Sequence, residues 1–353
     1  MSRLTKLREK MQEENLDGFI IASPENRRYM SGFTGTSAML VILLKKAYLL
    51  TDFRYITQAT SQAPDFEVVD AGADFYQSAK ELTQGAERIG FEEDYTTYAM
   101  YLKLKDAVAH AELLEKANLL TGLRSVKEPE ELDTIRQAVK IADDAYAHIL
   151  KFVDFGQTEQ EISLELEFNM RRAGASGGSF DFIVASGWRG SMPHGVASSK
   201  TLQRGELLTL DFGAVYQGYC SDITRTFALG EPDEKQREIY EIVLQANKAA
   251  IAAIKPGLKG KEVDAVARQI IEEAGYGNYF GHGLGHSVGL AIHESPRFSL
   301  REEQMIEPGM VITVEPGIYL PDWGGVRIED MIVVTENGCE VLTQAPKEFI
   351  IIE

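Results

Sequence analysis

Residues 205–227 read GELLTLDFGAVYQGYCSDITRTF. Two alternating runs, 207–212 and 221–227, are set apart by Gly213, Gly218 and a pair of tyrosines, a pattern that predicts a β-hairpin. Successive strand side chains point to opposite faces, so Thr209, Asp211 and Gly213 share one face, and Asp222 shares a face with Thr224 on the returning strand. Asp211 and Asp222 are therefore expected to face one another across the ladder. Two ionised carboxylates side by side on a mostly apolar hairpin are costly unless a cation neutralises them or one keeps its proton. We read both as ligands.

The pattern returns at residues 309–334, GMVITVEPGIYLPDWGGVRIEDMIVV. An apolar strand ends in Glu315, a Gly- and Pro-rich turn follows, and a second strand carries Arg327 and Glu329. The order of features repeats the first hairpin and indicates an internal duplication. The acids stand eleven positions apart in the first copy and fourteen in the second, a difference assigned to the longer turn at 321–325. Two related hairpins brought together put four carboxylates in one place.

The helices follow the same duplication. The segment 131–153 reads as one long amphipathic helix, and a second starts at Thr158 with Glu161 three residues on, the capping-box spacing. After the first hairpin, EKQREIYEIVLQANKAAIAAI and GKEVDAVARQIIEEAG form another helix pair. Ahead of all this, the stretch 123–131 marks a boundary: Ser125 is a candidate turn or cap, Pro129 suits a first helical turn, and Glu128, Glu130 and Glu131 suit a helix N-terminus. The division is set at 1–124 and 125–353.

The first part alternates strand and helix signals. FIIAS, MLVILL, KAYLLTDFRY, FEVVDAG and RIGFEED read as strands, and 78–87 and 97–114 as helices. The expected class is α/β (α+β): a small N-terminal α/β domain with a mixed sheet, then the duplicated domain. Asp52 and Arg54 read as a local ion pair at a strand end rather than a binding loop. His110 and His148 lie in helical patterns and read as structural.

With 353 residues, of which 44% are hydrophobic, the chain is long enough for two domains with full cores. The net charge of −18 excludes nucleic acid and anionic membrane surfaces as main partners, since both need clustered Lys and Arg. Cys220 and Cys339 form no metal or redox spacing and suit a reducing compartment. Leu4, Leu7 and Met11 put an amphipathic helix, not a signal peptide, at the N-terminus. No run approaches about 20 apolar residues, and the expected location is the cytoplasm.

Four of the six histidines fall in the second part, His194, His282, His286 and His293, beside Gly or Pro or between elements, where side chains reach a cleft. The glycines around His282 and His286 rule out a zinc-protease helix, and neither a dinucleotide nor a Walker spacing is present. No GxSxG elbow offers a serine nucleophile. Four carboxylates with one histidine exceed what a structural zinc takes. They suit two divalent ions about 3.5–4 Å apart, bridged by carboxylates and a hydroxide, a device for hydrolysing amides or phosphate esters. Oxygen-rich ligation favours manganese, cobalt or iron, with zinc an alternative.

The motifs LDFGAVYQGYCSDITRT, GHGLGHSVGLAIHE, TVEPGIY and GGVRIED resemble those of the pita-bread-fold metallopeptidases, in particular the Xaa-Pro peptidases aminopeptidase P and prolidase. The resemblance covers the C-terminal two thirds, and the N-terminal part is similar to the creatinase/prolidase-like domain those enzymes carry. It implies a pseudo-twofold pita-bread catalytic domain over 125–353. It also implies that Asp211 binds one metal, that Asp222 and Glu329 bridge both, and that His286 and Glu315 bind the other, with Glu315 a proton acceptor. His194, His282 and His293 are implied in substrate binding and proton transfer, with Arg327 beside the bridging glutamate. The expected activity is hydrolysis of the Xaa-Pro bond in dipeptides or at peptide N-termini, with two Mn2+ (Co2+, Zn2+ or Fe2+ as alternatives) and a homodimeric assembly. The alternatives are a methionine aminopeptidase-like exopeptidase and a non-catalytic binding protein of the same fold. The resemblance does not say which arginine would hold a dipeptide's carboxylate.

Overall fold

The computed structural model describes residues 1–353, save the side chain of Asn118. The chain forms two compact units, Met1–Arg124 and Ser125–Glu353.

The first unit is built on six strands, β1 (Gly18–Ile21), β2 (Met39–Leu43), β3 (Ala47–Thr51), β4 (Glu67–Asp70), β5 (Arg88–Phe91) and β6 (Glu112–Glu115), in the order β4-β3-β2-β1-β5-β6. The sheet is mixed: β1, β2 and β3 run antiparallel in series, while β4, β5 and β6 add in parallel. Helices α1 (Arg3–Glu13), α2 (Pro24–Ser31), α3 (Ile56–Gln62), α4 (Phe75–Leu82), α5 (Tyr98–Ala107) and α6 (Asn118–Ser125) complete it. Leu4, Leu7 and Met11 are the buried face of α1. The helical pattern expected over 97–114 breaks at Ala107, and 112–115 is instead the edge strand β6. Pairing with β5 from Arg88↔Glu112 to Phe91↔Glu115 is a long-range term that outweighs local helix propensity. In the intervening turn, His110 Nε2 sits 3.0 Å from the Thr83 carbonyl. Asp52 and Arg54 pair at 2.8 Å, and the hydrogen bond from Arg54 holds the Asp52 carboxyl down at about 2.

The second unit repeats one plan twice. Helices α7 (Pro129–Phe152) and α8 (Glu159–Arg172) precede strands β7 (Gly177–Gly178), β8 (Ile183–Ser186), β9 (Leu207–Phe212), β10 (Ala214–Tyr216), β11 (Tyr219–Cys220) and β12 (Ile223–Leu229). Helices α9 (Glu234–Ala253) and α10 (Gly260–Glu273) precede β13 (Gly285–Ser287), β14 (Glu294–Phe298), β15 (Val311–Val314), β16 (Gly317–Leu320), β17 (Gly324–Arg327), β18 (Asp330–Thr335), β19 (Gly338–Val341) and β20 (Ile351–Ile352). In the first copy β9 pairs β12 and β10 pairs β11; in the second β15 pairs β18 and β16 pairs β17. The cap of α7 is Glu128, reciprocated by Glu131, and not Ser125. Thr158 and Glu161 close the capping box of α8.

Strand alternation directs the chemistry. Leu208, Leu210 and Phe212 pack in one core with Ile149, Ile162 and Leu166 of α7 and α8, so Thr209 and Asp211 face the other way. Ile312 and Val314 pack with Tyr240 and Val243 of α9, so Thr313 and Glu315 face the same interior. The register differs from the simple expectation in one respect. Asp211 lies opposite Thr224, not Asp222; Asp222 sits beyond the last pair, Phe212↔Ile223, diagonal to Asp211 on the same face. In the second copy Val314 pairs with Asp330, which brings Glu329 opposite Glu315. By register Thr224, not Asp222, is the counterpart of Glu329, because the extra residues lengthen the β16–β17 ribbon.

Backbones touch where these strands leave the ladder. A β-carbon on Gly213 would fall 1.8 Å from the Ser221 carbonyl oxygen, whereas one on Gly281 would meet no heavy atom within 4 Å. Overpacking of this kind costs about 1–3 kcal/mol. Gly213→Ala is expected to lower the thermal midpoint by about 4 °C or more and Gly281→Ala to leave it in place; scanning calorimetry of the two variants checks the packing, and equal midpoints would contradict it.

Candidate metal centre

A cleft of about 1040 Å³ opens in the second unit, and all nine side chains singled out above line it: His194, Asp211, Asp222, His282, His286, His293, Glu315, Arg327 and Glu329. Asp211 comes from β9, Asp222 from the residue before β12, and His286 from β13. Glu315 follows β15, Arg327 ends β17 and Glu329 precedes β18. Asp211, Glu315 and Arg327 sit near, just past or at strand ends, Asp222 and Glu329 just before strand starts, and His286 in the middle of β13.

Within the cleft, Asp222, His286 and Glu329 each offer one donor atom, and these lie within 4.8 Å of one another. His286 Nε2 stands 3.5 Å from Asp222 Oδ2 and 3.5 Å from Glu315 Oε1. Its other ring nitrogen, Nδ1, is 3.2 Å from the Ser287 carbonyl. A carbonyl only accepts, so Nδ1 carries the proton and the Nε2 lone pair faces the acids. Burial, followed by His293, pushes this imidazole down to about 4, which keeps it neutral and able to ligate. Asp222 Oδ1 and Glu329 Oε1 are buried without a hydrogen-bond partner. Orphaned carboxylate oxygens are rare inside proteins. Here the two carboxylates that carry them meet a lone pair, and a cation would satisfy the group.

Every acid of the cluster is pushed upward. Burial, then Glu329, Asp211 and Glu315, raises Asp222 well above the carboxylate range. Burial, then Glu315 and Asp211, does the same to Glu329. Glu315 is pushed up to about 8 by burial, with Asp211 adding to it and Arg327 opposing. Asp211, though raised by burial, is relieved by Arg327, whose Nη2 reaches Asp211 Oδ2 at 2.5 Å. The residues present fit one or more divalent cations: oxygen donors, one neutral imidazole and no competing countercharge inside the group of three.

Three further residues belong to the site and escaped the sequence reading. Thr224 Oγ donates to Glu329 Oε2 at 2.7 Å and accepts from Arg327 Nε at 3.0 Å. The Tyr319 hydroxyl lies 2.9 Å from Arg327 Nη1 and 2.8 Å from His282 Nε2. His282 Nδ1 gives its proton to the Gly283 carbonyl at 2.8 Å, so Nε2 accepts from Tyr319, and burial holds this ring at about 4. Arg297, on β14, is exposed and lines the cleft. The two-residue period flags Thr224 and Tyr319 as sharing faces with Asp222 and Gly317; no local signal points Arg297 inward.

A model of metallopeptidase family M24 matches residues 133–336. The chain belongs to this family. Its first unit matches the creatinase/prolidase N-terminal domain over residues 3–126. The structure of an Xaa-Pro dipeptidase from Bacillus anthracis superposes with a TM-score of 0.97 at 48% identity, covering 99% of each chain. An Xaa-Pro dipeptidase of Pyrococcus furiosus is 42% identical over 99% of both chains. An X-Pro aminopeptidase from Thermotoga maritima matches with a TM-score of 0.93 at 38% identity over the whole of both chains. The mixed α/β class and the pita-bread fold behind an N-terminal domain are those of this M24 group. The protein is an M24 metallopeptidase, a hydrolase of a family that depends on divalent metal ions. Among the described residues no helix is long and apolar enough to cross a membrane.

An acid whose folded pKa exceeds its unfolded value holds more protons folded than unfolded. The raised carboxyls of the metal-free protein thus favour the fold below about 4.5 and lose that contribution as pH rises toward about 8. A divalent cation reverses the loss because it binds the ionised forms. Calorimetry of chelator-treated protein is expected to show a larger rise in midpoint on adding Mn2+ at about pH 8 than at about pH 5; equal rises at both would contradict the cluster as a cation site.

Proposed function

We propose that this M24 peptidase hydrolyses the peptide bond between any residue and a following proline, with dipeptides as its main substrates and a dinuclear manganese centre. The observation that carries the reading is the convergence of the Asp222 and Glu329 carboxylates, each with an oxygen left unpartnered, on the lone pair of His286. The names borne by the relatives above supply the bond type. In this reading Asp211 would hold one ion, His286 and Glu315 the other, with Asp222 and Glu329 available to both. Divalent ions in such a site supply a water acidified toward neutrality and polarisation of the scissile carbonyl. Manganese suits a donor set of four carboxylates and one imidazole.

The chain's own groups do the rest. Glu315 takes a proton from the attacking water. Proline makes the leaving group a secondary amine that needs a proton to depart, and His194 and His293, both exposed at the cleft, are placed to deliver it or to stabilise the oxyanion. His282 stays neutral and is oriented by Tyr319, which Arg327 orients in turn. Arg327 favours the ionised form of Asp211 and donates to Thr224, which in turn donates to Glu329. Arg297 carries a free guanidinium face at the cleft, and a fork of that kind takes a terminal carboxylate in bidentate fashion. This favours dipeptides over longer peptides. A homodimer in a reducing cytoplasm completes the reading; light scattering that showed only monomer would remove the dimer and leave the chemistry.

A panel of Ala-Pro, Ala-Pro-Ala and Met-Ala-Ser on Mn2+-loaded protein tests the substrate class. Cleavage of Ala-Pro is expected, and turnover of Met-Ala-Ser alone would replace the reading by a methionine aminopeptidase. Asp222→Asn is expected to lower kcat by about 100-fold or more with unchanged circular dichroism. Arg297→Met is expected to raise KM for Ala-Pro about tenfold and to spare Ala-Pro-Ala; equal effects on both would remove Arg297 from the carboxylate site.

A further inference from the structure

The loop between β8 and β9 carries His194 to the cleft, yet besides a single turn of 3-10 helix, Gly187–Ser191, it holds only isolated bridges, from Val196 to Ile183 and from Thr201 to Thr158. No continuous ladder runs along it. Its two ends converge on one side chain. Glu159, the first residue of α8, is wholly buried and takes five donors. Ser186, where the loop leaves β8, gives its amide at 2.8 Å and its hydroxyl at 2.9 Å to Oε1. Ser198, four residues past His194, gives its amide at 3.1 Å and its hydroxyl at 2.7 Å to Oε2. Arg189, from inside the loop, pairs with Oε2 and gives its second amino group to the Val196 carbonyl at 2.8 Å.

The backbone of α8 answers in kind: the Glu159 amide bonds the Lys200 carbonyl and the Gln160 amide the Ser198 carbonyl, at 3.0 and 3.1 Å. The loop is thus clamped at its start, its middle and its end to one helix terminus. On its other side it abuts the second copy: a β-carbon on Gly325 would fall 2.2 Å from the Gly190 carbonyl oxygen, so the loop backbone lies directly on β17, which ends in Arg327. A buried carboxylate that merely filled space would be expensive unless fully bonded. This one is fully bonded, and every bond goes to the loop or its arginine.

We propose that Glu159 is the positioning residue for His194, setting where that imidazole stands in the cleft. The proposal rests on the peptidase reading in assigning His194 a part in turnover. A displacement of about 1 Å at a group acting on substrate can cost as much as 100-fold in rate, so the effect should appear in kcat and not only in stability.

The test is Glu159→Gln, which keeps the shape but replaces one acceptor oxygen with a donor that faces donors. It is made in the wild-type protein and in His194→Ala, both Mn2+-loaded, with Ala-Pro as substrate. Kinetics well below the melting range are paired with hydrogen exchange of residues 187–198. The expected result is a kcat lower by about tenfold or more, faster exchange confined to that segment, and no further loss when His194 is already absent. A purely structural role would lower the thermal midpoint and leave kcat unchanged, or would cost the same in both backgrounds; either result overturns the proposal. Should Glu159→Gln not fold, Arg189→Lys keeps the charge, loses the fork to Val196, and is read by the same criteria. Exchange needs no turnover, so a wild-type protein inert on every peptide would count against the peptidase reading, while unchanged exchange in the variant would independently overturn the clamp.

Discussion

Four carboxylates buried around one neutral imidazole repel one another in a medium that screens poorly. Left alone, the arrangement would keep its protons or pull apart. Everything built around it in this molecule resists the second outcome. Asp211 alone has a countercharge, Arg327; Asp222 and Glu329 have none and each leaves an oxygen unbonded. That asymmetry distinguishes a centre prepared for cations from an ordinary buried ion network, in which each charge would be paired.

The scaffold that opposes the repulsion lies behind the cluster. Arg225 is fully buried and donates to the carbonyls of Thr224 and Glu329, one from each hairpin, as well as to Asp330 and to the carbonyls of Ala345 and Pro346. A single guanidinium therefore ties both copies of the duplicated hairpin to the C-terminal segment. Lys347 closes the same network on Asp330 and Asn247, and Asn247 in turn bonds the carbonyl of Val314, one residue before Glu315. In front of the cluster the groups meet solvent: His194, His293 and Arg297 are exposed. Buried acids and exposed accessory groups are a division of labour that suits a hydrolytic centre, where the acids must hold position and the substrate must enter and leave.

Duplication explains how so many acids come together and also why the copies are not equivalent. The two helix pairs each cover their own hairpin, so alternation alone delivers Asp211 and Glu315 to a shared interior. The returning strands differ by two residues in register. Thr224 thereby takes the place that Glu329 holds in the other copy, and a hydrogen bond between these two side chains, 2.7 Å long, joins the pseudo-equivalent positions. A perfectly symmetric arrangement would have placed two more acids face to face with no hydroxyl to separate them.

What the sequence determined by itself was whatever depends on spacing along the chain. The alternating runs, the capping box at Thr158, the repeated order of helix pair and hairpin, and the nine side chains that share one cleft all follow from periods of 2 and 3.6 residues and from motif resemblance. Tertiary structure decided whatever depends on pairing across the chain. The register that sets Asp211 against Thr224, the edge strand β6 in place of a longer helix, and the cap that Glu92 provides to the amides of Ala22 and Ser23 from about 70 positions away have no local signature. The same holds for Tyr319 between Arg327 and His282, and for Glu159 beneath the His194 loop. The reason is physical: propensity and alternation act on neighbours, whereas burial and hydrogen-bond satisfaction act on groups that meet only after the chain has folded.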